Sequence, residues 1–203
     1  MLTVDIHTHR PAEGVTALRT AGIHPWQADE CTADSAERLR EALGDQLLTA
    51  QAIGETGLDF ACGTGREAQE RLFRAHLELA VQMRLPVVIH CVRAFEQVMK
   101  ILDGYAPPAV LFHGFIGSAE QARRAAGRGY YLSFGVRSLR SPRSVEAMRT
   151  VPAELLFVET DDDDTPVDEV CRMAAEMLNT DAETLADRIG RNYKRFCDNG
   201  QLA

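Results

Sequence analysis

Short apolar runs that alternate with helical patterns constrain this chain more than any other feature of its sequence. Parallel strands need a crossover connection, which a helix usually provides, so this alternation is typical of a parallel sheet. We therefore predict an α/β fold, specifically a TIM-like (β/α) barrel. Seven apolar runs are the predicted strands, at residues 2–6, 15–23, 48–53, 86–89, 109–112, 130–134 and 155–158.

Helical patterns fill the intervals between these runs. Two apolar stripes at helical spacing should pack on the sheet, at positions 72, 75, 79, 83 and 95, 98, 99, 102. Helix starts are predicted by two capping boxes and two N-terminal prolines: Ser118 with Gln121, Thr180 with Glu183, Ser141-Pro142 and Thr165-Pro166. Since no internal repeat or flexible linker is visible, we predict one domain over residues 1–203.

Histidines and carboxylates occur where the predicted strands end. Residues 5–9 read Asp-Ile-His-Thr-His, and two histidines two positions apart point to one face of an extended chain. Such a pair alone is a weak motif, but ligand-type residues follow four later runs as well. The carboxyl ends of all strands in a parallel barrel meet at one face, where enzymes of this fold keep their sites. We therefore predict a metal site made by His7, His9, Glu55, His90, His113 and Asp161.

Other polar residues near these positions each allow more than one role. His24 could bind substrate or close a turn, and Arg93 could pair with phosphate or remain a surface charge. His76 lies on a helix stripe, which favours packing over ligation. The acidic residues at 162–164 precede a helix, so we expect them to serve that loop and the helix dipole.

The amino-acid composition limits which binding partners and which cellular compartment we expect for this protein. With 22 basic and 30 acidic side chains the formal charge is −8, so the surface as a whole should repel polyanions. Five cysteines without a Cys-x-x-Cys pair argue against a disulfide framework and a thiolate zinc site. Cys91 could be a nucleophile, but we favour the interpretation that it is a small apolar side chain that fills space at a strand end. No leader or membrane span is evident, so we expect a cytoplasmic protein without a membrane partner.

Several ordered motifs resemble the TatD family of metal-dependent deoxyribonucleases, within the amidohydrolase-like barrels. The resemblance covers nearly the whole chain. The segment at 53–59, Ile-Gly-Glu-Thr-Gly-Leu-Asp, is the most recognisable. The other matching segments are residues 5–9, 22–25, 86–90, 113–117 and 159–161, with Gln69 and Phe73 on a helix.

The resemblance implies two divalent ions, which could be zinc, manganese or magnesium. His7, His9, Glu55 and Asp161 would hold one ion, and Glu55 would bridge to a second ion held by His90 and His113. The implied chemistry is hydrolysis by activated water, with Asp161 and Glu55 as the catalytic carboxylates. His24 and Arg93 would hold the phosphoryl oxygens of the substrate.

Three features depart from the family pattern. Only fourteen residues separate His9 from His24, so the second βα unit is shortened, and the barrel is expected to be distorted, open or seven-stranded. Trp26 stands where many relatives carry another histidine, and acidic residues replace a small residue and proline after Asp161. The last two departures bear on the substrate more than on metal binding.

Three functions are compatible with these residues. The first is a deoxyribonuclease that acts from DNA ends or on a small phosphodiester, with no obligate protein partner. The second is a metallohydrolase of the same superfamily that acts on an ester, lactone or amide, because activated water attacks many electrophiles. The third is a partner-binding barrel that has lost turnover, which the complete set of six ligand-type residues disfavours.

Overall fold

The computed structural model describes residues 2–198, in which strands and helices alternate. The strands are β1 (Val4–Asp5), β2 (Thr16–Ala17), β3 (Thr20–Ala21), β4 (Ala52–Asp59), β5 (Val87–Val92), β6 (Val110–Phe112), β7 (Tyr131–Phe134) and β8 (Leu156–Val158). The helices are α1 (Ala36–Leu43), α2 (Arg66–Met83), α3 (Phe95–Leu102), α4 (Ala119–Ala126), α5 (Val136–Leu139), α6 (Pro142–Met148), α7 (Val167–Met177) and α8 (Ala182–Asp198). The predicted α/β class with parallel strands is confirmed.

The chain divides into two compact units. Among residues 2–198, the terminal unit comprises residues 2–18 and 112–196, and the central unit comprises residues 19–111 and 197–198. Strand β6 carries the chain from the central unit into the terminal unit. The expectation of one domain over residues 1–203 stays a prediction.

Strand β4 of the central unit is displaced along the sequence from its predicted position. Residues 44–48 form a 3-10 turn in which Leu48 is 81% exposed, so the strand begins only at Ala52. It then continues to Asp59, and β5 likewise continues past His90 to Val92. Glu55 and His90 therefore lie inside their strands, which corrects the prediction that they follow the strand ends.

A register irregularity in β4 lies between Ile53 and Thr56, in the segment that contains Glu55. Ile53 pairs with Val87 and Thr56 pairs with Ile89, so β4 uses three steps where β5 uses two. Such bulges redirect a side chain and often lie beside functional sites. Gly57 lets the two strands approach: its φ is +136°, and a Cβ there would lie 2.1 Å from the carbonyl oxygen of His90.

Helices α2 and α3 pack through the stripes that the sequence predicts. Along α3 the residues at 95, 98, 99 and 102 are all buried, and along α2 those at 72, 75 and 79 are buried, while Met83 is half-buried. Two polar side chains on α2, Gln69 and His76, are also fully buried. Both must satisfy their hydrogen bonds inside the protein, because unpaired buried polar groups are costly.

The second apolar run, predicted as one strand at 15–23, forms two strands with different partners. In the terminal unit β2 pairs with β1, Val4 opposite Thr16. In the central unit β3 pairs with β4, and the Arg19 carbonyl accepts a hydrogen bond of 2.8 Å from the Gln51 amide. The described residues therefore contain eight strands instead of seven, and the connection from β1 to β2 contains no helix.

An aromatic cluster joins α8 to β7 and β8 in the terminal unit. The rings of Tyr131, Phe157 and Phe196 have centroids 5.3–6.2 Å apart, within the range of favourable aromatic pairs. Asn192 donates hydrogen bonds from its amide to the carbonyl oxygens of Ala153 and Leu156, at 2.8 and 2.9 Å. These contacts hold the start of β8 and the residues just before it.

Two of the four predicted helix starts are confirmed. The capping box of Ser118 and Gln121 is confirmed, and Pro142 opens α6 behind Ser141. The predicted box at Thr180 is wrong, because the Asp181 carboxylate accepts from the Thr184 amide at 2.8 Å and caps α8 instead. Over residues 2–198, no helix has the length and apolar character needed to cross a membrane.

Candidate metal-binding clusters

Backbone pairing holds the first two histidines of the terminal unit beside Asp161. The Asp161 amide donates to the His7 carbonyl at 3.0 Å, and the His9 amide donates to the Asp161 carbonyl at 2.9 Å. Nε2 of His9 and Nε2 of His7 then lie 3.3 and 3.7 Å from Oδ1 of Asp161. Three ligand atoms within 4.8 Å of one another could hold a metal ion.

A clamp between Asp5 and Thr160 fixes this pairing. The amide and hydroxyl of Thr160 donate to the two carboxylate oxygens of Asp5, at 3.0 and 2.7 Å. Burial raises the pKa of Asp5 to about 6, although the two Thr160 hydrogen bonds act in the opposite direction. Because Asp5 and Thr160 each stand within two residues of a cluster member, the clamp sets the positions of His7 and Asp161.

A buried carboxylate beside His113 was not predicted. Oε1 of Glu159 lies 3.5 Å from Nδ1 of His113, and the Ser133 hydroxyl donates to Oε2 of Glu159. The rings of His113 and His7 are 4.1 Å apart, and ligand atoms of His113, Glu159 and Asp161 form a further group within 4.8 Å. Burial raises the pKa of Glu159, but the His113 contact, His7 and Ser133 outweigh it, so the net shift is downward.

The central unit has its own cluster around Glu55. Oε1 of Glu55 lies 2.7 Å from Nδ1 of His90 and 3.3 Å from Nε2 of His24. The ring centroids of His24 and His90 are 4.6 Å apart. These three residues could also hold an ion. Nδ1 of His24, however, accepts a hydrogen bond from the Trp26 amide at 3.3 Å, so a neutral His24 carries its proton on Nε2 and points an N–H at Glu55.

Asp59 contacts the opposite ring nitrogen of His90 from the one that faces Glu55, and this role was not predicted from the sequence. Its Oδ2 lies 3.3 Å from Nε2 of His90 and accepts from the Trp26 indole at 2.7 Å. Burial raises the pKa of Asp59, but hydrogen bonds from Trp26, the Ala61 amide and His90 outweigh it and lower it overall. Gln69 fixes the backbone of Asp59, accepting from its amide at 2.7 Å and donating to its carbonyl at 2.9 Å.

His76 has the packing role that the sequence predicts. It is fully buried, with Nδ1 bonded to the Leu72 carbonyl at 2.8 Å and Nε2 accepting from the Ile23 amide at 2.9 Å. Burial lowers the pKa of His76 to about 4. The ring is therefore neutral at pH 7, and its bond to Ile23 positions the residue that follows, His24.

Cys91 and Arg93 follow His90 in the chain. Burial raises the pKa of Cys91 to about 12, which leaves its thiol protonated and favours the predicted filler role over a nucleophile. Arg93 is exposed just beyond β5, with a left-handed φ of +52°. Its predicted role in phosphate binding stays a prediction.

The acidic run after Asp161 serves the loop, as predicted. Oδ1 of Asp163 accepts from the Thr165 amide at 2.9 Å, and Asp164 pairs with Arg10. Helix α7 begins one residue later than predicted, at Val167, with Pro166 as its N-cap. Asp161 is the member of this run that faces the histidines.

The donor types suit a divalent metal ion. Imidazole and carboxylate ligands are those that zinc and manganese accept. Oε1 of Glu159 is fully buried, and ligand atoms of Glu159, His113 and Asp161 lie within 4.8 Å of one another, so a cation held there would balance the buried negative charge. Of the six predicted ligands, the terminal unit brings together His7, His9, His113 and Asp161, and the central unit brings together Glu55 and His90 with His24.

The solved structures that resemble this chain share its fold. A TatD homologue from Escherichia coli superposes with a TM-score of 0.77 at 26% identity, covering 91% of this chain and 77% of that one. A TatD family hydrolase from Entamoeba histolytica gives 0.76 at 16% identity, covering 90% of this chain and 75% of that one. The predicted TIM-like barrel type is thereby confirmed.

Curated relatives match a large part of the chain. Proteins named 3′-5′ ssDNA/RNA exonuclease TatD are 36% identical over 148 residues in Cronobacter sakazakii and 33% identical over 148 residues in Shigella flexneri. Each match covers 70% of this chain and 56% of the relative. The family model described as TatD related DNase matches residues 7–198. A match of that extent establishes that the chain belongs to the TatD related DNase family.

Proposed function

We propose that this protein is a metal-dependent phosphodiesterase that removes nucleotides from the 3′ ends of single-stranded DNA. The observation that carries the proposal is the backbone pairing that holds His7 and His9 against Asp161, because it builds a compact imidazole and carboxylate group from two distant chain segments. The relatives named as 3′-5′ single-strand exonucleases support the substrate class and the polarity.

The proposal includes two ions per molecule, with the ligand assignment that the family motifs imply. His7, His9, Glu55 and Asp161 are assigned to one ion, and Glu55, His90 and His113 to the other. Two such ions would lower the pKa of a shared water and stabilise the negative charge that develops on the phosphate. Zinc or manganese suits these ligands better than magnesium.

The protein's own residues carry the proton transfer and the substrate contacts. Asp161 is 29% exposed and lies beside two imidazoles, so it is placed to accept a proton from the attacking water. His24 presents an N–H from Nε2 and could donate it to a phosphoryl oxygen. The exposed guanidinium of Arg93 is assigned to the same phosphate.

The net negative charge of the protein leads us to expect a preference for the ends of the nucleic-acid strand. A net charge of −8 allows few phosphates to be neutralised along a strand, and non-specific affinity for nucleic acid depends mainly on such neutralisation. Recognition should therefore concentrate on the terminal nucleotide. A cytoplasmic location is part of the proposal and stays a prediction.

Parallel digestion of oligonucleotides labelled at the 3′ or the 5′ end tests the proposal. Metal-loaded protein should release labelled mononucleotide early from the 3′-labelled strand and a descending ladder from the 5′-labelled strand, with a shallow dependence of affinity on salt. The variant Glu55→Gln, purified in the same way, controls for a contaminating nuclease. Hydrolysis of small esters or amides without any cleavage of oligonucleotides would contradict the proposal and favour another metallohydrolase activity.

A further inference from the structure

Trp26 is an exposed aromatic residue in a fixed position. It is the single tryptophan of the chain, and 61% of its surface is exposed to solvent. The other large apolar side chains that are exposed among the described residues are all aliphatic: Leu2, Leu48, Val81 and Ile116. A large exposed indole at an ordered position is a candidate contact surface for a ligand.

Hydrogen bonds hold both the side chain and the backbone of Trp26. The indole N–H donates to Oδ2 of Asp59 at 2.7 Å, and the backbone carbonyl accepts from the Thr64 hydroxyl at 3.1 Å. The residue lies in the 3-10 turn Pro25–Gln27, and its ring stands edge-on to His24 with centroids 4.6 Å apart. Since these contacts use the indole edge and the neighbouring ring, the orientation of the ring is fixed before any ligand binds.

The position of this ring places it beside the Glu55 cluster of the central unit. The centroids of Trp26 and His90 are 6.2 Å apart, and the Asp59 carboxylate that receives the indole N–H also contacts His90. A ligand on the indole would therefore lie next to the imidazoles that contact Glu55.

We propose that the indole of Trp26 stacks on the nucleobase of the terminal nucleotide, an inference that rests on the proposed nuclease function. Stacking suits an acidic protein, because every base has a flat face and the contact needs no positive charge. A preordered ring also loses little conformational entropy on binding. Stacking of this kind contributes on the order of 10-fold or more to affinity for each base.

The single tryptophan gives a direct readout of this contact. Metal-loaded protein is titrated with a thymidine pentanucleotide whose phosphorothioate linkages resist cleavage, and the intrinsic fluorescence is followed. We expect quenching that saturates with binding. The same oligonucleotide with an abasic residue at its 3′ end should bind at least 10-fold more weakly and quench little. Equal quenching by the two oligonucleotides would overturn the stacking proposal.

Steady-state kinetics of Trp26 variants distinguish stacking on a base from an indirect role in which Trp26 only holds Asp59 through its indole N–H. Trp26→Phe keeps a flat ring and loses the N–H, whereas Trp26→Ala loses both. We expect Trp26→Ala to raise KM for the normal oligonucleotide about 10-fold or more, Trp26→Phe to stay within about 3-fold, and the two variants to differ little on the abasic-ended substrate. Equal losses in both variants on both substrates would show that Trp26 acts through Asp59 and would overturn the proposal.

Leu48→Ala is the matched control, because it removes an exposed apolar side chain from the 3-10 turn that precedes β4. Its fluorescence response and its KM should equal those of the unmodified protein.

Two outcomes separate the stacking proposal from the proposed nuclease function. If the phosphorothioate oligonucleotide quenches Trp26 fluorescence and yet no oligonucleotide is cleaved, the proposed nuclease activity is wrong and the stacking of Trp26 on a base is supported. If oligonucleotides are cleaved without any change in fluorescence, the nuclease activity is supported and the stacking proposal is wrong.

Discussion

The carboxylate of Glu159 lies 3.5 Å from Nδ1 of His113, and both side chains are buried. A histidine that ligates a metal through one nitrogen commonly presents its other nitrogen to a carboxylate, which fixes the ring and raises its basicity. The Ser133 hydroxyl holds the second oxygen of Glu159, so the carboxylate itself is fixed. This arrangement makes Glu159 a positioning residue for His113.

We expect Glu159→Gln to weaken metal binding roughly 10- to 100-fold, the range typical for partners of metal-bound histidines. The substitution keeps the shape and an acceptor oxygen but removes the charge that favours the His113 N–H. Competition with a chromophoric chelator measures the affinity. Glu154→Gln, at an exposed carboxylate shortly before β8, is the matched control. A folded Glu159→Gln protein with unchanged affinity would refute the role.

Metal content gives a second prediction. The clusters of the two units lead us to expect close to two ions per chain after saturation with manganese or zinc, measured by elemental analysis. Replacing both His7 and His9 with glutamine should lower this number to about one, because Asp161 would then lack both of its imidazole partners. A content near zero with every metal tried would refute the metal-binding assignment altogether.

Strand positions could be predicted from the sequence largely because the apolar runs of parallel strands are continuous. The runs before His113 and Asp161 end within one residue of β6 and β8. The split of the second run into β2 and β3 could not be predicted, because the two strands differ in their partners and not in their composition. The predicted run stops at Ile53, whereas β4 continues through Gly54 and Gly57, where the close approach to β5 requires glycine.

Candidate ligands could be predicted because histidine and carboxylate stand out directly after apolar runs, although Glu55 and His90 lie inside their strands. The supporting residues were missed for a physical reason: Glu159 and Asp59 gain their roles from burial and from partners distant in the chain, His113 and His90. Glu159 directly follows β8, and that position is the signal that could have found it. Features that depend only on residues close in the sequence were predicted correctly, as at the capping box of Ser118 and Gln121.

His76 leads to a prediction about pH and stability. Its folded pKa of about 4 lies below its ordinary value of 6.5, so the unfolded chain binds the proton more strongly. Its contribution to stability is complete above pH 6.5 and is lost as the pH falls towards 4, by about 3 kcal/mol in total.

Denaturant unfolding from pH 7.5 to 4 measures this contribution as the difference between the unmodified protein and His76→Gln. The stability advantage of the unmodified protein should shrink steadily below pH 6.5, while metal content at pH 7.5 stays the same in both proteins. A constant difference across the range would show that His76 is not held neutral by burial. Loss of metal from a folded variant would show that the ring has more than a packing role.

The last prediction concerns Glu55, whose carboxylate contacts both His24 and His90 and is assigned to both ions. Glu55→Gln preserves the size of the side chain but removes the negative charge that balances the cations, so we expect weaker retention of both ions and loss of turnover by at least 100-fold. Equilibrium dialysis against a graded chelator gives the retention, and the 3′-labelled oligonucleotide gives the turnover. Gln51→Glu, a polar position just before β4, controls for a change of charge near this strand. Glu55→Gln protein with full activity and two retained ions would show that the bridging carboxylate is a different residue.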